Sequence, residues 1–290
     1  MPADEPIGLE LPGTVRQTAR SILQAAAFLL LFLVWNVAAS LCLLLSIQLG
    51  YPLVGLGISI ALYFLLLWGV ALRAEAPRRR LALLRLRPLD QETLRWTLAG
   101  VPVLLALSWA VGEVYVRLVP VPPESFNPFG DLMVTAEGRL AVTMLAVGIA
   151  PVLEEFFFRG FLQGLLERSF GSIVGLVAAA AIFAAVHVLP WIFPLHFFLG
   201  LAFGYAVWAT RSIWTGVILH AANNAAAVAG LGLEGRDPSP TPTLWQVGPD
   251  VGWWMSLGIL LVSAVLAYLV AVRLYRAGRG ESLRPRLGRG

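Results

Sequence analysis

The chain has 290 residues, of which 58% are hydrophobic and only 13% are charged. This composition and a mean hydropathy of +0.78 exclude an ordinary soluble domain and predict a polytopic membrane protein. The net charge of +4 does not indicate nucleic-acid binding, because membrane proteins concentrate Arg in their cytoplasmic loops. We therefore expect the lipid bilayer, and not nucleic acid, as a partner. The lone Cys42 excludes an intramolecular disulfide and a thiolate metal cluster.

Apolar runs divide the chain into helices. Residues 1–20 carry charges of both signs and predict a cytoplasmic leader or an interfacial helix. Residues 21–275 form the membrane domain, where the runs predict about eight transmembrane helices. Their approximate bounds are 21–49, 52–72, 94–118, 139–168, 172–189, 194–210, 212–230 and 251–272. The predicted fold class is all-α, a polytopic membrane helical bundle, because irregular loops and open sheets cannot face lipid.

Arginine residues set the expected orientation. Six lie in the interval from Arg73 to Arg87, and six more follow residue 272, with residues 276–290 forming a basic tail. The positive-inside rule places both segments, and with them both termini, in the cytoplasm. All basic residues are Arg, and Ala, Gly and Pro are abundant. This usage suggests a prokaryote with GC-rich codons, and therefore the inner or cell membrane.

The fourth apolar run contains three charged side chains, Glu154, Glu155 and Arg159. An ionised side chain at mid-depth costs about 2.5–3.5 kcal/mol on insertion scales, so a functional site is the default hypothesis. Glu155 and Arg159 are four residues apart and can pair as an orienting or structural unit. Glu154 then lies on an adjacent face, where it can serve as a general base for water.

The chain has three histidines, and two of them, His187 and His220, are predicted to lie well inside apolar helices. Asn224 follows His220 by one helical turn and projects from the same face. At a rise of ~1.5 Å per residue, these side chains and Glu154 can reach a common level in the bilayer. We therefore predict one polar site between the fourth, fifth, sixth and seventh helices. His196, at a helix start beside Pro194, is interpreted as a packing residue.

Three ordered motifs carry a resemblance to a known family. Glu154-Glu155-x-x-x-Arg159, Phe183-x-x-x-His187 and His220-x-x-x-Asn224 are similar to the motifs of the CPBP family of intramembrane proteases, which includes the CAAX prenyl proteases and bacteriocin-processing homologues. The resemblance covers the predicted catalytic core, residues 139–229. It implies hydrolysis of a peptide bond in a membrane-associated protein or peptide. Glu154 and His187 would activate water, and His220 and Asn224 would hold the oxyanion.

The metal dependence of this chemistry has two possible answers. The family is often described as metalloproteases, and Glu154, His187 and His220 could bind Zn²⁺ with water as the fourth ligand. The sequence has no H-E-x-x-H helix, and an amide such as that of Asn224 would be a poor fourth ligand. We therefore favour a mechanism without a metal or other cofactor.

Two functions of other classes also fit buried Glu and His residues. A proton-coupled transporter could use them as a relay, but the motifs lie in one half of the chain and no interrupted helix matches them in the other. A bacteriocin-immunity protein could keep the site without turnover. The protease remains the favoured interpretation.

Overall fold

The computed structural model describes residues 13–73, 84–122, 125, 133–233 and 242–280. Helices fill most of these ranges, and the described part of the chain contains no β-strand beyond one isolated bridge. We number the principal helices α1 to α8. They are α1 Gly13–Gln48, α2 Pro52–Arg73, α3 Gln91–Leu118, α4 Ala136–Phe170, α5 Ser172–Ala185, α6 Phe193–Thr210, α7 Ile213–Leu233 and α8 Val251–Gly278.

The helix lengths and compositions agree with a membrane bundle. Within the described ranges, five segments are long and apolar enough to cross a bilayer; they are Leu29–Ser46, Gln91–Leu118, Ala136–Phe170, Pro190–Thr210 and Val251–Gly278. Leu53–Leu62 and Ser172–Ala185 are shorter apolar helices. The all-α membrane fold is thus confirmed, while the number of eight crossings stays a prediction.

Several predicted segments lie wholly or partly outside the described residues. Residues 1–12 of the expected leader and 281–290 of the expected tail are among them, as are residues 74–83 of the Arg-rich loop. The described part of the leader is already helical, because α1 begins at Gly13.

Tertiary packing brings the middle of the chain together. Helix α1 packs on α2, α5 on α6, and α3 on both α7 and α8. Helix α3 starts where Asp90 accepts a hydrogen bond from the backbone N–H of Thr93 at 2.8 Å, which satisfies one of the free donors of the first turn. A buried cluster that includes Phe203 and Leu219 joins α6 to α7.

Helix α4 is a continuous run with two wide turns. Met144–Ile149 and Glu155–Leu162 have π-helical hydrogen bonding, and they flank the α-helical segment Ala150–Glu154. Such π segments are rare and are frequent at functional sites. The sequence predicts a kink at Pro151; the structure has a π turn directly before this residue. The paired glutamates therefore lie at the junction of two helical registers.

Candidate functional site

Glu155 and Arg159 form a buried ion pair at the centre of the site. Arg159 Nη1 donates to Glu155 Oε1 at 2.7 Å, as the four-residue spacing predicts, and the two side chains are 1% and 0% exposed. The guanidinium also lies 4.2 Å from the ring centroid of Phe183 and 5.5 Å from that of Phe203. Aromatic faces attract a cation, so they hold the part of Arg159 that the carboxylate leaves uncovered.

His220 lies between the two glutamates. Its Nδ1 is 3.0 Å from Glu155 Oε1, and its Nε2 is 3.9 Å from Glu154 Oε2. Because an ionised carboxylate only accepts, His220 donates its Nδ1–H to Glu155, and Nε2 is turned toward Glu154. Helix α7 approaches closely here because position 216 is glycine; a Cβ at Gly216 would overlap Glu155 Oε2.

One carboxylate oxygen of each glutamate is available as a hydrogen-bond acceptor. Glu154 Oε2 and Glu155 Oε2 are buried and have no hydrogen-bond partner among the described residues. Buried polar atoms without a partner are costly in protein interiors and are often functional. The glutamate pair thus keeps acceptor capacity directed into the protein.

Phe183, four residues before His187, contacts His187 through both its backbone carbonyl and its ring. The Phe183 carbonyl lies 2.7 Å from His187 Nδ1 and must accept the Nδ1–H, which leaves Nε2 as the free ring nitrogen. The Phe183 ring, which is 2% exposed, lies 4.8 Å from the His187 ring and 5.9 Å from the His220 ring. One side chain therefore separates the two imidazoles and contacts both.

The prediction that His187 lies within a helix is wrong. Helix α5 ends at Ala185, His187 lies in the following turn, and Val188 has a φ of 55°. The left-handed φ of Val188 is unusual for a β-branched residue, and the chain does not return to the α5 direction after it. His187 is thus presented from a turn, while His220 is presented from the interior of α7.

Asn224 contacts the first π turn of α4. Its Nδ2 donates to the carbonyl of Ala146 at 2.8 Å. In a π register that carbonyl would pair with the N–H five residues later, as Leu145 does with Ala150, but position 151 is proline and has no N–H. Asn224 therefore supplies the donor that Pro151 lacks. Its second amide N–H is available to another acceptor.

His196 also lies at the site. Its ring centroid is 4.1 Å from that of His187, and its Nδ1 is 3.1 Å from the carbonyl of Ile192. The sequence offered a helix start beside a proline as its only clue, which indicated packing. The contact is with the neighbouring imidazole, so His196 limits the orientation of the His187 ring.

A polar column, which lies outside the three motifs apart from Glu155 and Arg159, continues along α4 beyond the ion pair. Arg159 donates to the carbonyl of Gly200, and Gln163 donates to that of Gly204 at 3.1 Å. Gln163 also donates to Glu167 Oε1 at 2.8 Å. The column consists of Glu155, Arg159, Gln163 and Glu167, which recur at intervals of four residues. This interval was the signal that could have revealed it.

A catalytic zinc ion needs three protein side chains that converge on one point. In the described ranges, no three His, Cys, Asp or Glu side chains are grouped so that they could hold one metal ion. Glu154 and His220 approach each other, but the set of Glu154, His187 and His220 is not assembled as ligands in this arrangement.

Comparisons with known proteins agree with the motifs. Residues 136–226 match the family model described as type II CAAX prenyl endopeptidase Rce1-like. A curated relative, the "Putative membrane peptidase YdiL" of Bacillus subtilis (strain 168), is 27% identical over 159 residues, which cover 50% of this chain and 64% of the relative. The chain thus matches less than two thirds of that relative's length. No solved structure matches the chain. These matches confirm the predicted resemblance to the CPBP family, over a region that contains Glu154, His187, His220 and Asn224.

Proposed function

We propose that this protein is an intramembrane endopeptidase that hydrolyses a peptide bond of a membrane-associated protein or peptide. The observation that carries the proposal is the position of His220. It is held through Nδ1 by Glu155, and it turns Nε2 toward Glu154 at 3.9 Å. This separation is too long for a direct hydrogen bond and suits two groups that share a water molecule.

Glu154 acts as the general base in this proposal. Its carboxylate takes a proton from water while the water oxygen attacks the carbonyl carbon of the scissile bond. The free Nε2 of His187 accepts a hydrogen bond from the same water, because its Nδ1–H is committed to the Phe183 carbonyl. The proton held by Glu154 then passes to the leaving amine nitrogen as the carbon–nitrogen bond breaks.

His220 and Asn224 stabilise the oxyanion. In this proposal His220 keeps one proton on each ring nitrogen throughout the reaction, so no proton moves to or from it. Its Nδ1–H donates to Glu155 and its Nε2–H donates to the oxyanion. Asn224 uses one amide N–H on Ala146 and offers the other. Donors fixed in advance in a dry site are effective, because they need not reorganise as charge develops. Glu155 and Arg159 are positioning residues, since they act through His220.

A reconstituted assay tests the proposal. Purified protein in liposomes is incubated with a library of membrane peptides in H₂¹⁸O, and products are identified by mass spectrometry. We expect discrete cleavage sites with one ¹⁸O atom in each new carboxylate, because water is the nucleophile. A preparation carrying both Glu154→Ala and His187→Ala supplies the background for contaminating proteases. Equal cleavage by that preparation would contradict the proposal, and so would the absence of cleavage by the wild type.

We also propose that the reaction needs no metal. The motif set offers carboxylate, imidazole and amide groups that suffice for proton transfer and oxyanion binding. The active preparation is expected to hold far less than one equivalent of zinc by elemental analysis, and its rate is expected to survive a strong chelator. Stoichiometric zinc that is lost together with activity in His220→Ala would overturn this assignment in favour of the zinc-dependent protease.

The cellular setting is inferred from the Arg distribution and from the amino-acid usage, which is typical of GC-rich codons. We propose a prokaryotic inner or cell membrane with both termini cytoplasmic. A bacterium normally lacks prenylated C-terminal cysteines, so the substrate class is a membrane peptide, a leader or a bacteriocin rather than a prenyl protein. The peptide library therefore includes both prenylated and unprenylated members.

A further inference from the structure

A polar cavity lies near the C-terminal end of α4. Its volume is about 350 Å³, and its lining includes Arg85, Arg211, Arg279 and Glu167. Glu167 follows Glu154 by thirteen residues, so the cavity is roughly 20 Å from the candidate active site at ~1.5 Å per residue. Three guanidinium groups against one carboxylate leave a net charge of +2. The volume is within the range of small-molecule sites.

The backbone brings two of these arginines together. Leu86 and Ser212 form an antiparallel bridge, and Ile213 N–H donates to the Arg85 carbonyl at 2.9 Å. Arg85 and Arg211 have φ angles of 55° and 56°, in the left-handed region that non-glycine residues rarely adopt. Arg279 directly follows α8. This helix can approach α6 closely because residue 278 is glycine; a Cβ at Gly278 would overlap the Ala209 carbonyl.

Among the described residues of the lining, Glu167 is the only carboxylate, and both of its oxygens already accept hydrogen bonds. Glu167 Oε2 accepts from Arg85 Nη2, and Glu167 Oε1 accepts from Gln163. Arg85 Nη1 is buried and has no hydrogen-bond partner among the described residues. Neither Arg211 nor Arg279 has an ion pair in the described part of the chain; Arg279 instead lies 4.2 Å from the Tyr275 ring centroid. The described residues of the cavity thus leave positive charge uncompensated.

The N-terminus of helix α5 adds to the positive electrostatic potential of the cavity. Ser172, its first residue, lines the cavity. The preceding residue is Gly171, so no side chain caps the free N–H groups of the first turn. The N-terminus of a helix of 14 residues carries partial positive charge and donors that suit an anion.

We propose that this cavity binds a phosphate group. A phosphomonoester dianion matches the charge of +2, and guanidinium groups bind phosphate through charge-assisted hydrogen bonds. The cavity lies where α6 and α8 end, at Thr210 and Gly278. That position suits the headgroup of an anionic lipid, and the same chemistry would accept a soluble phosphate. The proposal does not depend on peptidase activity.

Native mass spectrometry of the full chain tests the lipid source. Protein is released from nanodiscs of phosphatidylcholine containing a minor fraction of phosphatidic acid, and retained lipid is counted. We expect phosphatidic acid to be enriched over phosphatidylcholine, and the Arg211→Gln, Arg279→Gln double variant to lower this enrichment about tenfold or more. Both arginines are exposed, so folding should survive; circular dichroism and size-exclusion chromatography check it.

A matched control and a second arm complete the experiment. Arg276→Gln removes one guanidinium charge from the exposed end of α8 without touching the lining, and it should retain the enrichment, whereas Arg211→Gln and Arg279→Gln should each lower it. In lipid-free detergent, inorganic phosphate should raise the Tm of the wild type more than that of the double variant if a soluble ligand is bound. A positive result in either arm supports the site and identifies its source. No preference in both arms, or equal loss in Arg276→Gln, would overturn it.

Discussion

Replacing Glu154 by glutamine is expected to lower kcat for peptide hydrolysis by about 10²–10⁴, because a positioned general base contributes a factor of this size. Glutamine has nearly the same shape but cannot take a proton from water. KM and the thermal stability in detergent should change little, since Glu154 Oε2 has no hydrogen-bond partner among the described residues to lose. Initial rates on a peptide identified in the library assay measure the effect.

Glu137→Gln is the control for this substitution. Glu137 lies in the first turn of the same helix and is exposed, so the variant makes the same chemical change away from the site. It should keep the wild-type rate. A Glu154→Gln enzyme that matches Glu137→Gln in kcat would remove Glu154 from the role of base.

Replacing Arg159 by methionine is expected to destabilise the protein by about 3–5 kcal/mol, because it leaves a buried carboxylate without its partner. Methionine fills most of the space, so the lost charge rather than a cavity dominates. Glu155 is 0% exposed and would also lose its 2.7 Å hydrogen bond. Denaturation in mixed micelles measures the unfolding free energy.

Two further variants separate charge from packing. Arg139→Met, at the exposed start of α4, should cost little. Adding Glu155→Gln to Arg159→Met should restore part of the lost stability, because the uncompensated charge is removed, while activity should stay low, since His220 loses its anionic partner. Equal, small losses in Arg159→Met and Arg139→Met would contradict the central position of the ion pair.

The sequence predicted contacts that depend on spacing along one helix. Glu155 with Arg159, and the shared face of His220 and Asn224, follow from intervals of four residues. The contact between His220 and Glu155 could not be predicted from spacing, because it depends on the position of α7 along the axis of α4. That position is set by close packing at Gly216, which no local pattern reveals.

The turn after α5 was also not predicted from the sequence. Residues 172–189 are apolar enough to be one helix, yet the chain turns after Ala185. The turn brings His187 beside His196, although nine residues separate them. The π turns of α4 give no sequence signal except Pro151. Local propensity predicts that helices exist more reliably than it predicts their ends.

The polar column on α4 bears on how the chain enters the membrane. Alone in lipid, α4 would present three carboxylates, a guanidinium and an amide between Glu154 and Glu167. Each ionised group costs about 2.5–3.5 kcal/mol on insertion scales. The carbonyls of Gly200 and Gly204 that receive Arg159 and Gln163 belong to α6, which is synthesised some forty residues later. We therefore expect stable integration of α4 to wait for α6, so that the two helices enter the bilayer as one cooperative unit.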